Sequence, residues 1–185
     1  MTGYKLQGFL VNPLSIDKIR EVAMYASDIL KLPETPVDMG SFLESLVRLE
    51  ITYDVIDSSE MPGLLSHSEA CCIPERRIIY LTTETYLSAC ANDPRARFTI
   101  FHELGHFFLV HNRKFHRDQD VSRIEPKPYL DSEWQANQFA AEIIMPLHVI
   151  LRENLKSPSK IESRFGVSQA AAMARYNKLL TRKEI

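Results

Sequence analysis

Apolar positions spaced three and four apart open the chain. After Ser15, the residues Ile16, Ile19, Val22, Ala23, Ala26, Ile29 and Leu30 share one helical face, and the run stops before Pro33. "PETPVDM" is a Pro-rich connector, and either Asp38 or Ser41 is placed to cap a second helix, "SFLESLVRL". The period then shortens. "LEITYDVID" and "RRIIYLT" are rich in β-branched and aromatic residues and read as strands, with "GLLSHSEACCI" a weaker strand between them. Met61-Pro62-Gly63 and Pro74-Glu75 mark the turns. "TTETYLSACA" predicts a short helix capped by Thr82 or Thr83, and "NDPRARF" starts a long apolar one, with Asp93 as cap and Pro94 at the first helical position.

From Asn112 to Asp131 the composition turns polar, a loop of a length that is usually functional or mobile inside a compact domain. "SEWQANQFAAEIIM" then predicts a strong helix stopped by Pro146, and a helical tail follows through "HVILRENLK" and "SKIESRFGVSQAAAMARYNKLL". Helices, a small sheet, then helices: the order predicts an α+β fold. The expected division is a domain over 1–146 and a helical, helix-turn-helix-like tail over 147–185 packed on it.

The chemistry lies in "RFTIFHELGHFFLVH". Burying ionisable groups without partners costs several kcal/mol, yet this apolar helix carries His102, Glu103 and His106. They form H-E-x-x-H, which places both imidazoles on one face a turn apart, able to reach one ion, with Glu103 beside them to hold a water. The pattern should arise by chance in roughly one or two such chains per hundred. A catalytic zinc site needs a third protein ligand. The metzincin extension fails, because Leu109 and Asn112 stand where it needs glycine and histidine. His111 is read as a helix C-terminal cation.

The later helix supplies a carboxylate. At about 100° per residue, Glu133 and Asn137 fall in the middle of a face made by Ala136, Ala140, Ala141, Ile143 and Ile144. Gln135, Gln138 and Glu142 gather on the opposite side and read as a solvent stripe. A carboxylate centred on a buried face needs a cation or a hydrogen-bonding partner. Glu133 is therefore the expected third ligand, and Asn137 is placed to orient a ligand histidine through its other ring nitrogen.

"FTIFHELGHFFLVH" followed by "EWQANQFAAEIIMP" resembles the ImmA/IrrE family of metallo-endopeptidases, whose pattern is H-E-L-G-H and then E-x-x-A-N-x-F-A-A-x-x-x-M-P. The likeness is strong over Phe98 to Pro146 and looser in "TPVDM", "RRIIYLT" and "RFGVSQAAAMAR". The resemblance implies a minimal zincin-like domain with N-terminal helices, a small, mostly antiparallel sheet, the H-E-x-x-H helix and a ligand helix. It implies one Zn2+ per chain on His102, His106 and Glu133, and Glu103 as general base. It also implies an intracellular protein substrate, a helix-turn-helix repressor of a mobile element, toxin–antitoxin pair or stress regulon. By analogy with zincins, "RRIIYLT" is the edge strand that would receive an extended substrate. His116, Tyr129, His148 and Tyr176 are the candidate donors to the oxyanion.

Composition changes this picture little. Lys+Arg 22 against Asp+Glu 24 gives a formal charge of -2, so no global basic field advertises nucleic acid. Cys71, Cys72 and Cys90 make an odd count with no C-x-x-C pair, which argues against a disulfide framework and for a reducing compartment. No apolar run reaches the ~20 residues of a membrane span and no secretory leader is evident, so the expectation is a cytoplasmic protein without a membrane partner. The tail's Arg164, Arg175, Lys178, Arg182 and Lys183 raise an alternative, a DNA-binding or protein-interaction regulator. Ala170 to Ala174 gives its second helix little with which to read base edges, which disfavours direct DNA binding.

Overall fold

A computed structural model describes residues 4–60, 68–111 and 126–185. The predicted turn at 61–63, most of the polar loop and His116 lie outside the described residues. The elements run α1 (Ile16–Leu30), α2 (Met39–Ser45), β1 (Thr52–Ile56), β2 (Ala70–Ile73), β3 (Ile78–Thr82), α3 (Thr83–Cys90), α4 (Pro94–Phe108), α5 (Ser132–Ile144), α6 (Leu147–Arg152), α7 (Pro158–Phe165) and α8 (Gln169–Thr181). The fold is α+β. Side-chain caps fix most helix starts, at Ser15, Asp38, Thr82, Asp93, Asp131, Ser157 and Ser168.

The sheet is mixed, in the order β1-β3-β2. β1 runs parallel to β3 with Thr52 opposite Ile78, and β2 runs antiparallel to it with Ala70 opposite Leu81. "RRIIYLT" is therefore the central strand and not the expected edge. Its consecutive apolar residues fit that position, since Ile79 and Leu81 are wholly buried. The edge strand beside α4 is β2, whose Cys72 N–H bonds Glu103.

Ile19, Ala23 and Ala26 of α1, Phe42 and Leu43 of α2, the inward side of β3, and Ile100, Phe101 and Leu104 of α4 close over Phe139 and Ala140 of α5. Each large side chain so buried contributes about 1.5–3 kcal/mol. A second cluster joins Met145, Val149 and Ile150 to Ile161, Phe165, Ala172 and Leu179.

α5 runs through the middle of the molecule, and this overturns one expectation. Gln135, Gln138 and Glu142 were expected to face solvent, yet they are 0%, 8% and 3% exposed. Their partners come from elements that a single-helix wheel cannot see. Arg175 of α8 holds Glu142 at 2.7 and 2.6 Å, Arg20 of α1 adds bonds at 2.9 and 3.2 Å, and Lys178 reaches Gln138 at 2.6 Å. Burial alone would push the Glu142 carboxyl up; the hydrogen bonds and charges of Arg175 and Arg20 outweigh it and hold the group below the usual range. The tail is thus fastened to α1 and α5 by a buried ion cluster as well as by apolar contacts.

Candidate metal centre

Two helices and one close approach build the site. A Cβ on Gly105 would lie 3.1 Å from the Ala136 Cα and 3.2 Å from its carbonyl oxygen, so the glycine lets α4 and α5 touch backbone to backbone. Across that contact, His102 Nε2 lies 3.1 Å from His106 Nε2 and 3.1 Å from Glu133 Oε2, while His106 Nε2 lies 3.3 Å from Glu133 Oε1. Side-chain exposures of 15% and 11% for the histidines and 33% for Glu133 mark a cluster that is covered but open on the carboxylate side.

These distances test whether a metal fits. Zn–N and Zn–O bonds of ~2.0–2.1 Å put tetrahedral donors about 3.3 Å apart. The two imidazole nitrogens stand close to that spacing and each faces one oxygen of the Glu133 carboxylate, so His102, His106 and Glu133 could hold a single small cation. The two histidines that face it hold Glu133 far below the usual carboxylate range, so it offers an anion.

A relay sets the tautomer of His106. Gln135 Nε2 donates to the carbonyls of Asn12 and Tyr129, both at 2.8 Å, which turns its Oε1 toward His111 Nε2 at 2.9 Å. Gln135 Oε1 can only accept, so His111 Nε2 carries a hydrogen. Burial pulls His111 down to about 4, with the charge of His106 adding to the effect, so the ring is neutral and its Nδ1 is an acceptor. His106 Nδ1 sits 3.0 Å from that acceptor and must donate, which leaves its Nε2 lone pair facing the cluster. His102 is held the same way by Asn137 Oδ1, 3.0 Å from its Nδ1. The expectation that His111 is a helix-terminal cation is therefore corrected: at 4% exposure it is a neutral buried link.

Glu103 is buried, and burial pushes its carboxyl up while His106, His102 and the Cys72 N–H pull the other way. Its Oε2 accepts from that N–H at 2.7 Å, so edge strand β2 fixes the carboxylate on one oxygen and leaves the other available.

The start of α5 is held by a strap. Asp131, fully buried, accepts from Tyr4 Oη, the N–H groups of Gln7 and Gly8, and the Glu133 N–H, at 2.8, 2.7, 3.0 and 3.0 Å. Phe9 N–H donates to Ser132 Oγ at 3.1 Å, and Leu10 bridges Asp131. Asp131, Gln135 and His111 escaped the sequence reading. A helix cap, a supposed solvent amide and a supposed terminal cation carry no spacing that marks them.

Of the candidate oxyanion donors, Tyr129 is 41% exposed just before α5. His148 sits 3.8 Å from Glu34, Tyr176 packs against the second apolar cluster, and neither bonds the triad. No helix among the described residues is long and apolar enough to cross a membrane.

Comparison with known proteins adds three findings. No curated protein matches the sequence. Among solved structures, a Mycobacterium tuberculosis transcriptional regulator superposes with a TM-score of 0.54 at 14% identity, over 84% of this chain and 45% of that one. That likeness speaks for the fold, and this chain spans less than half of that protein's length. A peptidase family described as the IrrE N-terminal-like domain matches residues 71–177. Because that match exceeds half of the 185 residues and takes in β3, α4 and α5 with the whole cluster, the chain belongs to the IrrE N-terminal-like peptidase family.

Proposed function

We propose that this chain is a zinc-dependent endopeptidase. His102, His106 and Glu133 hold one Zn2+, and Glu103 is the general base. The observation that carries the reading is the convergence of the His102 and His106 Nε2 atoms, 3.1 Å apart, on the Glu133 carboxylate at 3.1 and 3.3 Å. Zinc held there would supply Lewis acidity toward a water and a peptide carbonyl.

The chain's own residues do the rest. Glu103, anchored through Oε2 by Cys72, takes the water's proton on its other oxygen and passes it to the departing amine. Burial disfavours its charged form and so strengthens it as a base. Asn137 and the His111–Gln135 relay keep the ligand lone pairs aimed. β2, the edge strand beside α4, is the strand against which an extended peptide would lie.

The substrate class follows from family resemblance: an intracellular helix-turn-helix repressor, cleaved in the cytoplasm. The alternative, a DNA-binding regulator, is weakened by where the tail's cations point. Arg175 is spent on Glu142, Arg164 on Glu153, Arg182 on Asp17 and Lys178 on Gln138. The test is incubation of the zinc-loaded protein with the repressor encoded beside its gene, with fragment masses mapped. Discrete cleavage abolished by chelator and by Glu103→Gln supports the reading. An intact repressor together with a salt-dependent gel shift on duplex DNA favours the regulator.

A further inference from the structure

On the side of α4 that carries Arg97 and Phe101, the chain buries a cation for which the peptidase reading has no use. Arg97 lies five residues before His102 and is 4% exposed. Its Nη2 donates to the carbonyls of Phe165 and Gly166, at 2.6 and 2.7 Å, where the positive φ of Gly166 ends α7. That uses both hydrogens of Nη2, the nitrogen common to the two planar edges of the guanidinium. Its Nε has no hydrogen-bond partner among the described residues, and no carboxylate there pairs with it. A buried cation in this state is costly unless something else meets it.

Arg97 lines a cavity of about 60 Å³, walled by Val37, Phe101, Ile144 and Phe165, with His148 also at its lining. On the measure by which one water needs ~10–15 Å³, this holds a few heavy atoms and not a drug-sized molecule. Glu34 also borders the cavity, but its carboxylate is already engaged by Arg152 at 2.8 Å and by His148 at 3.8 Å. The field of Arg97 therefore stays uncompensated. A planar guanidinium favours carboxylate or phosphate. Ser27 and Thr35 also reach the lining, but Val37, Phe101, Ile144 and Phe165 suit an alkyl chain better than the further charged oxygens of a phosphate.

We propose that this cavity is a binding site for a short-chain monocarboxylate, its carboxylate on Arg97 and its alkyl group against Phe101 and Phe165. Binding here needs neither zinc nor peptide cleavage, so it stands or falls separately from the peptidase reading.

Titration of the full chain at constant ionic strength tests it, with thermal unfolding and calorimetry as readouts and three probes: butyrate, n-butanol and inorganic phosphate. Butyrate should raise the melting temperature of the wild type saturably, and neither other probe should do so. Arg97→Met, which removes the charge, should abolish its effect. If Arg97→Met does not fold, Val37→Trp fills the cavity instead and should remove the butyrate response while the circular dichroism stays native. No saturable butyrate binding, an undiminished response in Arg97→Met or in Val37→Trp, or preference for phosphate would each overturn the proposal.

Discussion

His106 and His111 meet through their Nδ1 atoms at 3.0 Å, and that contact fixes which nitrogen of His106 faces the cluster. His111→Phe keeps the ring's volume, including its edge against Phe9, and removes the acceptor. Metal affinity should fall by ~10–100-fold with the helical signal unchanged. Competition with a chelator of known affinity measures it. An unchanged zinc affinity would show that the relay does not orient His106.

Glu103→Gln keeps the Cys72 N–H bond, because the amide oxygen still accepts, and it removes a carboxylate whose burial is costly. Peptide cleavage should drop by ~10²–10⁴-fold, with one zinc retained and a melting temperature equal to or above that of the wild type. A large loss of metal would instead place Glu103 among the ligands.

Much of this site was legible in the sequence. The His102–His106 spacing and the place of Glu133 on an alanine face both follow from local helical geometry, and so do the caps at Asp93 and Asp38. What was not legible depends on elements meeting from afar. Glu142 looked solvent-facing because its partners, Arg20 and Arg175, lie 122 and 33 residues away. β3 looked like an edge because strand order is set by the path between β1 and β3, which pairing preferences within one strand do not encode.

The buried ion cluster predicts a stability pattern. Removing one partner, as in Arg175→Met, leaves Glu142 without its main cation and should cost about 3–5 kcal/mol, read from urea unfolding. Glu142→Leu with Arg175→Met should be less destabilised than Arg175→Met alone. A double variant as unstable as the sum of the singles would contradict the coupling.

The same cluster sets an acid limb. The folded state holds Glu142 below its unfolded pKa of ~4.3. Its contribution is therefore complete above that value and is lost as pH falls through the folded pKa. Stability should decline below about pH 5, and Glu142→Gln should flatten that decline. An identical pH profile in the variant would count against it.

Asp131 predicts a separate linkage. Asp131→Ala strips four acceptor contacts from the strap and from the start of α5. Bonds to a charged acceptor contribute ~1.5–3 kcal/mol each and do not add fully, so the loss should be at least about 3 kcal/mol. Limited proteolysis should then cut within residues 4–14. A resistant N-terminus would show that the strap is held by other contacts.

The central claim is that α4 and α5 together hold one metal. Zinc-edge anomalous diffraction from zinc-loaded crystals tests it most directly. A single strong peak is expected ~2.0–2.1 Å from His102 Nε2, His106 Nε2 and one Glu133 oxygen. A peak lacking Glu133, or zinc bound elsewhere with this cluster unchanged, would contradict it.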